Sequence, residues 1–150
     1  MKIIVFDGIP VPEPESEKNV LVMHGIAMGR GLVNHQILSP KIDTTSQDDG
    51  SRFPDVMEML IDGEMVQAEY ELCTSHFYEH THLQHLHKYP LLHIITHKDN
   101  DSRMLIDLEK VGGPNGSRRI HCLNDFVELS PEETEPKEIQ DLLNGHIPYC

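Results

Sequence analysis

The 150-residue sequence contains no tryptophan, and aromatic residues make up only 5% of it. A core must therefore be assembled mainly from isoleucine, leucine, valine and methionine, within an overall hydrophobic content of 38%. Basic residues are also scarce. Twelve lysines and arginines face 25 aspartates and glutamates, a formal charge of -13 at pH 7. That deficit argues against direct binding of nucleic acid or of an anionic membrane surface, because both require a cationic face. No apolar run approaches the ~18 residues of a spanning helix. The opening stretch Met1 to Asp7 is too short in its apolar part for a secretory signal, so a soluble, cytoplasmic protein is expected.

Cysteine is equally sparse. Cys73, Cys122 and Cys150 are an odd number at wide spacings, with no Cys-x-x-Cys, which excludes the usual thiolate zinc and redox motifs and fits a reducing compartment. Gly25, Gly29 and Gly31 have neither the spacing nor the flanking Lys-Ser/Thr of a phosphate-cradling loop. No Gly-x-Ser-x-Gly, Ser-x-x-Lys or kinase signature occurs.

The pattern that is present reads as a single acidic α+β domain over 1–150, with a mostly antiparallel sheet of about seven strands. Lys2 to Phe6 is a strand, followed by a proline-rich connector over 9–18 and a second strand from Asn19 to Ile26. Leu32 to Leu38 forms another, and 43–52 is polar enough for a mobile loop. The firmest element is a hairpin near 56–73, turning at Asp62-Gly63. In its second arm Val66, Ala68, Tyr70 and Leu72 alternate with Gln67, Glu69 and Glu71, which predicts one buried face and one acidic, wet face. A meander near 91–129 is expected next, including a strand over Arg103 to Val111 with Met104, Ile106 and Leu108 on one side. Ile139, Leu142 and Leu143 mark a short C-terminal helix stopped by Gly145 and Pro148.

Seven of the eleven histidines lie between His76 and His97. Read as a helix near 76–88, the tract places His76, His80, Leu83 and His87 on one stripe. His76 and His80 are then one turn apart, the spacing at which two imidazoles chelate one ion. Read as a strand, His80 and His82 become the same-face pair. The helix is preferred, since β-branched residues are rare before Lys88. His76 to His80 also spells His-x-x-Glu-His, the pattern with which inverzincin metallopeptidases bind zinc through two histidines and activate water with the glutamate. Three fixed positions arise readily by chance in so histidine-rich a tract, so the pattern marks a candidate cluster and not a family. His76, His80 and His87 are its metal candidates, with His121 or a carboxylate completing the shell, Glu79 the candidate catalytic base, and Zn or another divalent transition metal the implied cofactor. His93 and His97 lie ~13 Å apart along one strand face and are read as structural.

Histidine also makes the charge responsive: full protonation would move the formal value from -13 to -13 + 11 = -2. Around the tract the chain is strongly acidic, with nine acids against one base in 43–71 and seven against one in 125–141. Solvated faces account for most such charge. The sharper reading is a non-catalytic interaction module, an assembly component or inhibitor that docks on a basic protein surface through Asp48, Asp49, Asp55, Glu58, Glu69 and Glu71. A viral or mobile-element accessory protein is one setting for such a module, and homo-oligomerisation is left open. The alternative is a metal-dependent hydrolase using His76, Glu79 and His80.

Overall fold

The computed structural model describes residues 2–40 and 53–129. The chain is α+β and its pairing is mostly antiparallel, with eight strands in two sheets. Strands β1 (Ile3–Phe6) and β2 (Ile9–Pro12) form a hairpin closed by Asp7-Gly8, and β4 (Val56–Ile61) and β5 (Glu64–Cys73) form a second closed by Asp62-Gly63. All four turn residues have positive φ, the geometry that matches a two-residue turn to the strand twist. The second hairpin lies where the sequence puts it.

The proline-rich stretch is not a connector throughout. Ile9–Pro12 is the edge strand of a three-stranded sheet in the order β2-β1-β8, where β8 is Val127–Leu129. The spacing of Pro10 and Pro12 explains this. Ile9, Val11 and Glu13 turn their amides toward β1, as the bond from Glu13 N–H to Lys2 O shows at 2.9 Å. Both prolines, which have no N–H to donate, therefore face away from the ladder.

Two expected strands are helices. α1 spans Glu17–Gly29, and Ser16 caps it by accepting the Asn19 N–H. Its buried residues Val20, Met23, His24 and Ala27 recur at helical spacing. Leu21 and Val22 stand exposed beside them, and together they produce the continuous apolar run that imitates a strand. α3 spans Arg103–Gly112 and buries Met104 and Leu108, a spacing of four that fits both periods. Ile106, the residue that suggested alternation, is 52% exposed.

α3 changes the topology. In place of a meander over 91–129, β6 (His93–Lys98), α3 and β7 (Ile120–Cys122) form a crossover, and β6 pairs parallel to β7. The histidine tract makes a similar crossover between β5 and β6, which are also parallel. With β3 (His35–Pro40), the larger sheet runs β3-β4-β5-β6-β7. Its β3-β4-β5 half is antiparallel.

Both faces of this sheet are covered. One core holds Val20, Met23 and Ala27 of α1 against Ala68, Tyr70 and Ile95, together with Phe6 from the small sheet. The other packs Phe77, Leu86, Met104 and Leu108 against Ile94. Because β5 is central, its second face is buried as well, and the expected wet acidic face does not exist there. Glu69 is 3% exposed and Glu71 is fully buried.

The tract is not one helix over 76–88. α2 covers Thr74–Glu79 and a 3-10 helix covers His82–Lys88, separated by Thr81 at φ 59. That break destroys the stripe His76, His80, Leu83, His87. The loop expected over 43–52 and the expected C-terminal helix lie outside the described residues. No helix among the described residues is long and apolar enough to cross a membrane.

Phe77 anchors α2 to the second core. It is fully buried and meets Phe53 edge-on, with ring centroids 5.8 Å apart. Phe77→Ala is expected to cost about 3–5 kcal/mol of unfolding free energy. Urea denaturation followed by circular dichroism checks this, with the midpoint falling well below that of the parent protein.

Candidate metal centre

Glu69 and Glu71 project from β5 toward the break between α2 and the 3-10 helix, which places His80 and His82 over them. The Nδ1 of His80 is 3.3 Å from Glu71 Oε2, and the Nε2 of His82 is 3.4 Å from Glu71 Oε1. Among the described residues, no N–H group meets either Glu71 oxygen with hydrogen-bond geometry, and the Glu17 carboxyl lies against it. Donor atoms of Glu71, His80 and His82 all lie within 4.8 Å of one another, a spacing one ion could span.

Two more carboxylates flank this group. Glu17, in the first turn of α1, brings Oε1 to 3.2 Å from His80 Nδ1. Glu69 brings Oε2 to 2.8 Å from His82 Nε2, while its Oε1 accepts the Asp55 N–H at 2.8 Å. The His82 ring is held by stacking on Phe53, with centroids 4.8 Å apart, and by an edge contact with Phe77. Rigid packing of this kind sets the direction of the Nε2 lone pair.

Burial dominates the electrostatics. It pushes Glu71 up to about 10, aided by the negative charge of Glu17, Asp55 and Glu79. It raises Glu69 well above the usual carboxylate range, aided by Asp55 and Glu71. The same burial, with His80 and His85 nearby, pushes His82 down to about 4. With no ion bound, burial thus disfavours the charged form on both sides of the His82–Glu69 contact. A divalent cation would reverse the balance by favouring both carboxylates as anions and needing the imidazole neutral.

Only His80 of the predicted metal set enters this group. His76 points its Nε2 at Glu79, 3.8 Å away, and its ring centroid is 6.0 Å from that of His80. His87 and Glu79 are exposed. The His-x-x-Glu-His pattern therefore does not gather its members round one point. Of the predicted docking carboxylates, Glu69 and Glu71 are buried and cannot form a contact surface. Asp55 is half-buried, its Oδ2 accepting the Tyr70 N–H at 2.9 Å. Glu58 is exposed, and Asp48 and Asp49 lie outside the described residues. Sequence reasoning missed Glu71 and Glu17 as partners of His80, and paired His80 with His82 only in the strand reading that it set aside. The available signal was a pair of alternating couplets, Glu69-x-Glu71 and His80-x-His82.

A second histidine cluster occupies the opposite face of the sheet. His24 of α1 places Nδ1 2.7 Å from the Tyr70 hydroxyl and Nε2 2.9 Å from His35 Nδ1. His93 Nδ1 is 2.8 Å from His121 Nε2, and the His35 and His121 rings meet edge to face at 4.8 Å. His35 and His121 belong to the two outer strands, which a flat sheet would hold about 19 Å apart. The sheet is therefore curled around this file of imidazoles. Burial, then the neighbouring histidines, pushes His24 and His121 down to about 3. Burial, then Arg119 and His35, pushes His93 down to about 4. Each neutral ring can donate one hydrogen bond and accept another, which suits a linear file. The structural role expected for His93 agrees with this packing, and His97 is also buried, 4.0 Å from Glu13.

No family model, curated protein or solved structure matches the chain.

These shifts make stability depend on pH in opposite directions. A histidine lowered in the folded state supplies stability that is complete above pH ~6.5 and is lost as pH falls toward its folded value. His24, His35, His82, His93 and His121 act this way. A carboxyl group raised in the folded state supplies stability that is complete below pH ~4.5 and is lost as pH rises. Glu69 and Glu71 act this way. Five against two leaves a net uptake of protons on unfolding near pH 5, so stability falls as pH falls there. Urea midpoints of metal-free protein should fall steeply from pH 6 to pH 5, and a flat profile would contradict the buried neutral file.

Proposed function

We propose that the protein is a metal-dependent hydrolase whose centre is built on Glu71, His80 and His82. The observation that carries this reading is Glu71 itself: a fully buried carboxylate with an imidazole nitrogen beside each oxygen. A carboxylate this deeply buried ionises at little cost where a cation sits against it. Nitrogen and oxygen donors together suit Zn or another divalent transition metal. Three protein donors leave coordination positions for water, and the His80 side chain is 42% exposed, so solvent reaches the group. A bound ion would lower the pKa of that water toward ~7 and supply hydroxide at neutral pH.

A docking module for a basic surface drew on the same acidity. Among the described candidates only Glu58 is exposed, so no observation favours that reading over the metal centre.

Metal content of tag-free protein purified without chelator tests the proposal. At least one transition-metal ion per chain is expected, lost in His80→Ala/His82→Ala and retained in His76→Ala/His87→Ala. Hydrolysis of activated esters should vanish on chelation and return with added Zn or Mn. Glu71→Gln separates function from folding: it should abolish the ion yet stabilise metal-free protein at pH 7 by on the order of 3 kcal/mol, because glutamine mimics the protonated acid. That gain should disappear near pH 4, where the unfolded chain is protonated too. Metal content unchanged in both Glu71→Gln and the His80→Ala/His82→Ala double variant would overturn the proposal.

A further inference from the structure

We propose that the centre takes two divalent ions, bridged by the carboxylate of Glu71; this rests on the metal-centre reading above and extends it. The donors fall into two matching halves. Glu71 Oε2 faces His80 Nδ1 at 3.3 Å, and Glu17 Oε1 faces the same nitrogen at 3.2 Å. Glu71 Oε1 faces His82 Nε2 at 3.4 Å, and Glu69 Oε2 faces that nitrogen at 2.8 Å. Each half thus holds one imidazole nitrogen, one terminal carboxylate oxygen and one oxygen of Glu71. Three elements supply them: α1 gives Glu17, β5 gives Glu69 and Glu71, and the break after α2 gives His80 and His82.

A single ion uses this set poorly. Were it placed among Glu71, His80 and His82, Glu17 and Glu69 would remain as two further carboxylates at the imidazoles, one of them buried. Three anionic carboxylates against one divalent ion leave a net negative charge, whereas two divalent ions compensate all three. A carboxylate bridging through both oxygens holds two metals about 3.5–4 Å apart. The halves differ in exposure. The side chains of His82 and Glu69 are 16% and 4% exposed, while those of His80 and Glu17 are 42% and 40% exposed. The His82 half should fill first and release its ion more slowly.

Cobalt(II) is the probe. Full-length protein stripped of metal by chelator dialysis is titrated at pH 7.5, and bound cobalt is counted by elemental analysis. The count for Glu71→Gln, subtracted from the parent, removes ions held by the other histidines. A difference of about two is expected, and the electron paramagnetic resonance signal per cobalt should change as the second ion enters, because the spins interact at about 3.5–4 Å. Glu17→Gln and Glu69→Gln should each lower the count by about one and abolish the interaction, with circular dichroism confirming the fold. Glu17 is half-exposed at a helix terminus, so its variant carries the test if Glu69→Gln does not fold. A difference of one with no spin interaction overturns the bridged pair and leaves the single-ion centre standing. A difference of zero overturns both.

Discussion

Covering both faces of β5 is the constraint on which the rest of the molecule depends. The strand lies in the middle of the larger sheet, with α1 and the small sheet on one side and the histidine tract with α3 on the other. A strand in that position normally reads as a continuous apolar run. This one alternates, so its second face carries Glu69 and Glu71 into the interior. The acidic couplet is not a solvated edge but a charge problem set at the centre of the fold, and the break at Thr81 brings His80 and His82 to it.

Histidine serves two different ends on the two sides of this sheet. Over Glu69 and Glu71 the imidazoles meet carboxylates whose charge burial suppresses. Beneath α1 the imidazoles meet one another and Tyr70, and a file of neutral rings satisfies itself by hydrogen bonds. Composition alone does not separate these cases. The distinction lies in which strand face each residue occupies, and whether a carboxylate or another imidazole stands opposite.

The legible parts of the sequence were those governed by local chemistry. Asp62-Gly63 demands positive φ and makes the β4–β5 hairpin, and the Val66, Ala68, Tyr70 alternation correctly assigns one buried face. The α+β class followed from the same signals. α1 and α3 were illegible because their apolar residues satisfy two periods at once: Leu21 and Val22 fill the gaps between helical core positions, and Met104 and Leu108 fit either spacing. Once α3 is a helix, β6 and β7 must run parallel, so a local ambiguity became an error of topology. In the candidate site, His80 was found because it sits in a dense tract. Its partner Glu17 lies far from it along the chain, and Glu71 is marked by nothing more than its alternation with Glu69.

By itself the sequence determined the scarcity of cation, the histidine enrichment, the two Asp-Gly turns and an alternating β5, since each is a property of neighbouring residues. Tertiary structure alone decided that the acidic side of β5 is interior, that His82 and not His76 joins His80, and that His24, His35, His93 and His121 share one file. The physical reason is that burial and approach between distant residues set the charge state of a titratable group. A glutamate on a strand is a solubilising residue or an ion ligand according to what the rest of the chain lays over it.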